Sequence, residues 1–351
     1  MNLYSNDLYT NDIEYVCGLS LPWNKLQGKS VMISGATGLV GSFLVDVLMS
    51  KNINCKIYAL SRNEDKARAR FSKWGNNNNL QYIQYDINKP FVNDTIGNID
   101  YVLHLASNTH PMQYSTDPIG TITTNIIGLQ NMLEFSVAHN ATRFAFASSN
   151  EIYGENRGDT ELFSEEYCGY INCNTMRAGY PESKRCGEAL CQAYRAQKGL
   201  DIVIPRITRS YGPTMLMSDT KAISQFIKKG IAGEDIILKS TGTQYYSYQY
   251  VADTVSGLLT ILLSGKSGEA YNIAAENSDI MMKDLASIIA EYAGRKVVFE
   301  IPDAVEAAGY SKATKARLDG SKLISIGWSP RYDIRTGLKR TLDILKAVNA
   351  N

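Results

Sequence analysis

From residue 31 to residue 207 the chain alternates short apolar runs with longer helix-patterned segments, and this rhythm constrains its fold more than any single motif. The apolar runs are "VMISG" (31–35), "CKIYALS" (55–61), "LQYIQYD" (80–86), "YVLHLAS" (101–107), "RFAFASS" (143–149) and "DIVIPRI" (201–207). Between them lie "GSFLVDVLMSK", "RNEDKARARFSKW", "NIIGLQNMLEFSVAHN" (125–140) and "PESKRCGEALCQAYRAQKG". Apolar runs without polar alternation read as strands buried on both faces. Strands alternating with crossover helices predict an α/β fold built on a doubly wound parallel sheet.

The first strand–helix turn is "ISGATGLVGS", with Gly35, Gly38 and Gly41 spaced three and three. Glycines there let the backbone turn tightly and approach a pyrophosphate, which rests on the helix N-terminus. The spacing alone is weak evidence, but the strand before it and the helix after it supply the context of a Rossmann-type dinucleotide site. About 20 residues on, an acid would bind a ribose 2′-hydroxyl and favour NAD. This chain carries Ser61 and Arg62 instead, a hydroxyl and a forked donor suited to a 2′-phosphate, so NADP(H) is expected over NAD(H). The plainer reading makes Arg62 the start of a solvated basic helix. The expected cofactor contacts are Gly35, Thr37, Gly38, Leu39, Gly41, Ser61, Arg62, Asp86, Ile87, Leu105, Ala106 and Ser107.

After "YGP" (211–213) the rhythm breaks. Residues 213–242 and 276–351 read as a smaller C-terminal α/β substrate domain, with a short strand at "VVFEI" (297–301). "YQYVADTVSGLLTILL" and "EAYNIA", within about 243–275, read as elements returning to the sheet of residues 29–212, and residues 1–28 as an N-terminal extension. Ligands of such sheets bind beyond the carboxyl ends of the strands. A net charge of +1 over 351 residues gives no case for nucleic acid or a membrane surface. No apolar run approaches a membrane span, and the N-terminus lacks a basic-then-apolar signal. The six cysteines include no C-x-x-C pair, and only His104, His110 and His139 accompany them. The expectation is a soluble cytoplasmic protein with reduced thiols and no metal site.

"YPESK" sets Tyr180 four residues before Lys184, on one face of a helix with Pro181 in its first turn. A nearby ammonium favours phenolate and lowers a phenol's pKa from about 10. Such a tyrosine can exchange a proton with an alcohol or ketone while hydride moves to or from a nicotinamide. Y-x-x-x-K is common by chance, and its weight comes from following "ASSNEIYG" (147–154) by one strand–helix unit. There two hydroxyls, an amide and a carboxylate crowd together after a strand. A turn bonding its own backbone would explain them equally.

Together "GATGLVG", "HLAS", "TTNIIGLQNML", "SSNEIYG", "YPESK" and "YGP", in that order, resemble the extended short-chain dehydrogenase/reductase family, specifically its nucleotide-sugar epimerases and dehydratases. The likeness covers nearly the whole chain beyond residue 28. It implies that Ser149 hydrogen-bonds the reacting oxygen beside Tyr180, that Lys184 holds the nicotinamide ribose, and that Asn125 supports the cofactor site. It also implies that Glu151 sits where dehydratases and decarboxylases carry an acid, although the second acid that dehydratases often have before it is Asn150 here. The resemblance further implies a homodimer through a four-helix interface and a role in cell-surface polysaccharide synthesis.

Residues 115–260 look most like UDP-glucuronate decarboxylases, yet the substrate positions differ. Their "FNTYGPRM" is "ITRSYGPTM" here, placing Arg209 and Thr214 where Asn and Arg are typical. Their "QTRAFQYV" is "QYYSYQYV", placing Tyr246 where an arginine would face an anion. The expected substrate contacts are Asn108, Asn150, Glu151, Arg209, Thr214 and Tyr246. The preferred activity is internal redox at a hydroxyl or ketone carbon of a nucleotide-activated sugar. The alternative is net NADPH-dependent reduction of a nucleotide-linked keto-sugar to an alditol, for example a CDP-alditol. Glucuronate decarboxylation ranks behind these, and a non-catalytic NADP sensor last, because Ser149, Tyr180 and Lys184 are all present.

Overall fold

The six apolar runs become strands of one parallel sheet. They are β1 (Ser30–Ser34), β2 (Lys56–Ser61), β3 (Leu80–Gln84), β4 (Tyr101–His104), β5 (Arg143–Phe146) followed by the two-residue β6 (Ser148–Ser149), and β7 (Ile202–Ile207). The remaining strands are β8 (Arg209–Tyr211), β9 (Ile236–Leu238), β10 (Tyr245–Tyr250), β11 (Ala270–Ile273), β12 (Asp279–Met281), β13 (Val297–Phe299) and β14 (Lys315–Ala316). The computed structural model of the protein describes residues 2–75, 77–91, 96–109, 111–300 and 314–349. Ile301, the last residue of the strand expected at 297–301, lies outside them.

The sheet order is β11-β7-β5-β4-β1-β2-β3, with β6 also pairing β7, and every pair is parallel. Side chains of β1 alternate between its faces, and both faces are core. Val31 and Ile33 pack into one apolar cluster with Phe43 and Val47, while Met32 joins another with Leu60, Val102 and Phe144. That double burial is why these runs carry no polar alternation. The chain runs from β1 outward to β3, then returns to place β4 on the other side of β1. This reversal opens a crevice at the carboxyl ends of β1 and β4.

Helices flank the sheet: α1 (Asp7–Gly18), α2 (Leu39–Lys51), α3 (Glu64–Arg70), α4 (Pro111–Thr116), α5 (Pro118–Ala138), α6 (Gly179–Lys198), α7 (Ala222–Ala232), α8 (Val251–Ser264) and α9 (Met282–Ala293). Two more, Ser321–Ser325 and Ile334–Asn349, close the described chain. The helix expected from 125 begins earlier, at Pro118, because Asp117 caps it by accepting from the Gly120 N–H at 3.0 Å. Helix α6 stops at Gly199, which takes the left-handed conformation at φ 70°. No helix among the described residues is long and apolar enough to cross a membrane.

"EAYNIA" returns to the first sheet as β11, and α8 packs beneath it. The strand β10 before α8 does not. It pairs with β8, β12 and β14 in a second sheet, while β9 and β13 form a parallel pair. Strand β10, with four tyrosines in its six residues, is the centre of that smaller sheet. Nor is the N-terminal segment peripheral, since Tyr9, Asp12, Ile13 and Val16 of α1 are buried.

Candidate active site

A cleft of about 1970 Å³ lies along the crevice between the sheet's carboxyl edge and the elements after residue 207. Its floor begins at the glycine turn. Gly35 sits at φ 72°, and a Cβ there would lie 2.8 Å from the Ala106 nitrogen, so only glycine fits between β1 and β4. A Cβ on Gly41 would lie 2.2 Å from the Gly35 carbonyl oxygen. The turn is therefore closed so tightly that its backbone, with no side chains in the way, forms the wall where α2 starts. That is the shape a pyrophosphate needs.

The expected cofactor contacts Gly35, Thr37, Gly38, Leu39, Gly41, Ser61, Arg62, Asp86, Ile87, Leu105, Ala106 and Ser107 all line this cleft. At the end of β2 the Ser61 hydroxyl is engaged by Asn63, accepting from its N–H at 3.2 Å and donating to its carbonyl at 3.0 Å. Arg62 and Lys66 face the cleft beside it. The Asp86 carboxylate accepts from the Asn88 N–H at 3.1 Å.

Asn125 is not on the cleft surface. It is fully buried, accepting from the Ser107 hydroxyl at 2.7 Å and donating to Ser183 Oγ at 2.9 Å, which in turn donates to the Tyr180 carbonyl. Ser107 is thus tied to the first turn of α6 through an amide that touches neither wall.

Tyr180, Ser149 and Lys184 meet on one side of the cleft. Ser149 ends β6 and caps a 3-10 turn over Asn150–Tyr153, its hydroxyl accepting from the Glu151 N–H at 3.2 Å. Part of the crowding in "ASSNEIYG" is therefore turn chemistry, and the rest faces the cleft. Lys184 is almost completely buried, donates from Nζ to the Ala147 carbonyl at 2.8 Å, and lies 6.0 Å from the Tyr180 ring centroid. Burial drives its pKa down to about 7. The expectation that an ammonium lowers the Tyr180 pKa is corrected by this geometry. Burial, and then the charge of Glu151, push the phenol up to about 12, against smaller lowering by Ser149, Arg177 and Ser107. Burial of the phenol outweighs the hydrogen bonds and the guanidinium that favour its charged form.

Two residues that sequence reasoning missed complete this wall. Arg177 donates from Nη2 to Glu151 Oε2 at 2.6 Å, and its guanidinium lies 4.7 Å from the Tyr114 ring centroid. The Tyr114 ring stacks on Tyr180 at 4.9 Å and 25°. Arg177 stands three residues before Tyr180, so its place before the helix was visible, but its pairing with Glu151 had no spacing signal.

Among the expected substrate contacts, Asn108, Asn150, Glu151, Arg209 and Tyr246 line the cleft. The Arg209 guanidinium stacks over the Tyr246 ring at 3.6 Å. Thr214 is the exception. It is buried off the cleft, its hydroxyl donating to the Leu39 carbonyl at 2.8 Å, so it ties the "YGP" loop to the start of α2 instead of meeting a substrate.

The protein-family model described as the NAD dependent epimerase/dehydratase family matches residues 31–274. UDP-glucuronic acid decarboxylase 1 of Xenopus tropicalis is 31% identical over 314 residues, spanning 90% of this chain and 71% of that protein. UDP-glucuronic acid decarboxylase 3 of Arabidopsis thaliana is 31% identical over 308 residues, spanning 88% and 86%. In fold, the chain is similar to UDP-glucuronic acid 4-epimerase from Bacillus cereus in complex with UDP-glucuronic acid and NAD, with a TM-score of 0.79 and 23% identity over 91% of this chain and 99% of that one. It is equally similar to a double mutant of DesIV, a dTDP-glucose 4,6-dehydratase from Streptomyces venezuelae with NAD bound, at a TM-score of 0.79 and 22% identity over 91% and 98%.

Proposed function

Because the chain belongs to the NAD dependent epimerase/dehydratase family, we propose that it modifies a nucleotide-activated sugar by internal redox at a hydroxyl-bearing carbon, with NADP(H) as cofactor and Tyr180 as acid and base. The observation that carries this reading is the convergence of Tyr180, Ser149, Lys184 and Glu151 on one wall of a cleft that begins at the glycine turn. A dinucleotide held by the turn of Gly35, Gly38 and Gly41 and by Lys184 would supply the hydride acceptor and donor, and its positive nicotinamide charge would favour a phenolate nearby. Tyr180 takes the hydroxyl proton as hydride departs and gives it back on return. Ser149 donates a hydrogen bond to the same oxygen as it becomes a carbonyl. That carbonyl acidifies the neighbouring C–H, and Glu151 is the carboxylate placed to carry the proton. Lys184 and the Asn125–Ser107–Ser183 relay fix the wall on which this occurs.

NADP(H) over NAD(H) is supported by Arg62 and Lys66, which bring two cations to the cleft at the end of β2. Arg209, braced on Tyr246, supplies a cation for the substrate diphosphate. A homodimer is supported by α5, which exposes Ile119, Ile122 and Ile127. Net reduction of a nucleotide-linked keto-sugar is the second reading, favoured by Asn150, a neutral amide on the cleft wall beside Glu151 where an acid pair would serve elimination.

The test is to denature the purified protein, identify released dinucleotide by mass spectrometry, and supply UDP-glucuronic acid, UDP-glucose, dTDP-glucose and keto-sugar nucleotides with and without NADPH. Product formation with retained cofactor and no net NADPH loss supports internal redox. Stoichiometric NADPH consumption replaces it with the reductase reading. Release of carbon dioxide from UDP-glucuronic acid would make the chain a decarboxylase like its relatives.

A further inference from the structure

We propose that Arg177 is a positioning residue of this site, whose guanidinium fixes the Glu151 carboxylate and offsets its charge at the Tyr180 phenol. The inference rests on the reading of Tyr180 as acid and base. Three elements build the arrangement. Arg177 belongs to the 3-10 turn Met176–Ala178 that leads directly into α6, so it is rigidly joined to Tyr180. Glu151 comes from the turn after β6, and Tyr114 from α4. The guanidinium is held on two sides, by Glu151 at 2.6 Å and by the face of Tyr114 at 4.7 Å, and Tyr114 is in turn stacked on Tyr180.

An ordinary surface ion pair would contribute little and would be screened by water. This one is different in burial, since the Arg177 side chain is only 20% exposed and the Glu151 side chain 23%. Its Nε is buried without a hydrogen-bond partner among the described residues, so Glu151 is the group that satisfies this guanidinium. A planar fork that stacks on a ring while pairing a carboxylate is a task for arginine that lysine performs poorly.

The groups facing Tyr180 are Glu151, Arg177, Tyr114 and Lys184, with Asp219 acting on Tyr114 from before α7. Of these, Glu151 opposes phenolate formation and Arg177 favours it. A site that needs a carboxylate for one proton and a phenolate for another must keep the first from suppressing the second. The Arg177 guanidinium is the group placed to do so.

The test follows hydride transfer, read as near-ultraviolet absorbance of reduced nicotinamide in a single turnover of UDP-glucuronic acid or UDP-glucose, across pH. It compares the wild type with Arg177→Gln, Arg177→Lys and Arg177→Gln/Glu151→Gln. Hydride transfer precedes the Glu151 step, so the double variant remains measurable and leaves no buried charge unpaired. The acidic limb belonging to Tyr180 is expected to move to higher pH in Arg177→Gln, cutting the rate on that limb about tenfold or more. It should return most of the way in the double variant, and Arg177→Lys should fall between. Independently of turnover, the Cζ resonance of isotope-labelled Tyr180, identified by its loss in Tyr180→Phe, should titrate at lower pH in Glu151→Gln than in the wild type. A limb that stays in place in Arg177→Gln, or moves equally far with Glu151 gone, overturns the proposal and leaves the Tyr180 assignment standing. A limb that persists in Tyr180→Phe, or no hydride transfer from these two sugar nucleotides or from dTDP-glucose, overturns the functional reading and this proposal with it.

Discussion

At the scale of single residues, the candidate site depends on groups held in costly states. Tyr180→Phe removes one hydroxyl from a stacked, enclosed ring, so cofactor affinity should stay within about twofold while turnover falls by about 10²–10⁴. Fluorescence titration of the dinucleotide beside a turnover assay reads both, and surviving activity would refute the assignment. Lys184 carries a stability cost whose sign can be worked out. Burial lowers its pKa from 10.5 to about 7, so the folded protein gives up that proton near pH 7 while the unfolded chain keeps it to about 10.5. Between those values the unfolded state binds more protons, so stability rises with pH. The thiols of Cys17 and Cys55 and the phenol of Tyr85, raised by burial, oppose this only above their ordinary values of 9.0 and 10.0. The window from pH 7 to 9 therefore belongs to Lys184. Urea midpoints of the protein without added nucleotide should climb across it, by at most about 1.4 kcal/mol per pH unit. In Lys184→Met the climb should vanish, and catalysis with it.

At the scale of elements, the parallel sheet was legible because burial on both faces writes itself into a strand as an unbroken apolar run. The glycine turn was legible because its spacing records a steric fact. That fact predicts Gly41→Ala: a Cβ 2.2 Å from the Gly35 carbonyl must force the turn open, weakening dinucleotide binding at least about tenfold by calorimetry. Gly18→Ala, with nothing within 4 Å of its Cβ, should leave binding unchanged. The first turns of α5 were illegible because "TITT" is poor in helix formers, and the Asp117 cap with Pro118 overrides that preference. Arg177 and Tyr114 were missed since their partners lie far along the chain, where no periodicity reports them. Thr214 was misread because alignment to a motif says which residue replaces an arginine but not that the new, shorter side chain turns away to Leu39. The isoleucines of α5 carry a further expectation. Light scattering should give twice the 38.9 kDa chain mass, and Ile119→Arg with Ile127→Arg should halve it.

At the scale of the whole molecule, the segment read as an N-terminal extension carries buried polar groups that join distant parts of the chain. Tyr4 and Tyr9 donate to Asp46 of α2, which Arg70 of α3 also pairs at 2.6 Å. Asp12, with no exposed surface, accepts from Tyr332 at 2.8 Å, from Arg340 at 2.6 Å, and from Tyr250 of β10. One carboxylate thus binds the N-terminal helix, the second sheet and the C-terminal helix, drawing on residues more than 300 positions apart. Truncating it strands a guanidinium and two phenols at once, so Asp12→Ala should cost about 3–5 kcal/mol. The Arg340 side chain is 18% exposed and can turn partly to water, which points to the lower end of that range. Arg340→Met added to Asp12→Ala should recover part of the loss, because the stranded charge is then gone. Urea unfolding followed by tryptophan fluorescence distinguishes this from a dispensable extension. A lowered midpoint in one cooperative transition means the segment folds with the rest, and an unchanged midpoint would mean that the Asp12 network contributes nothing to stability.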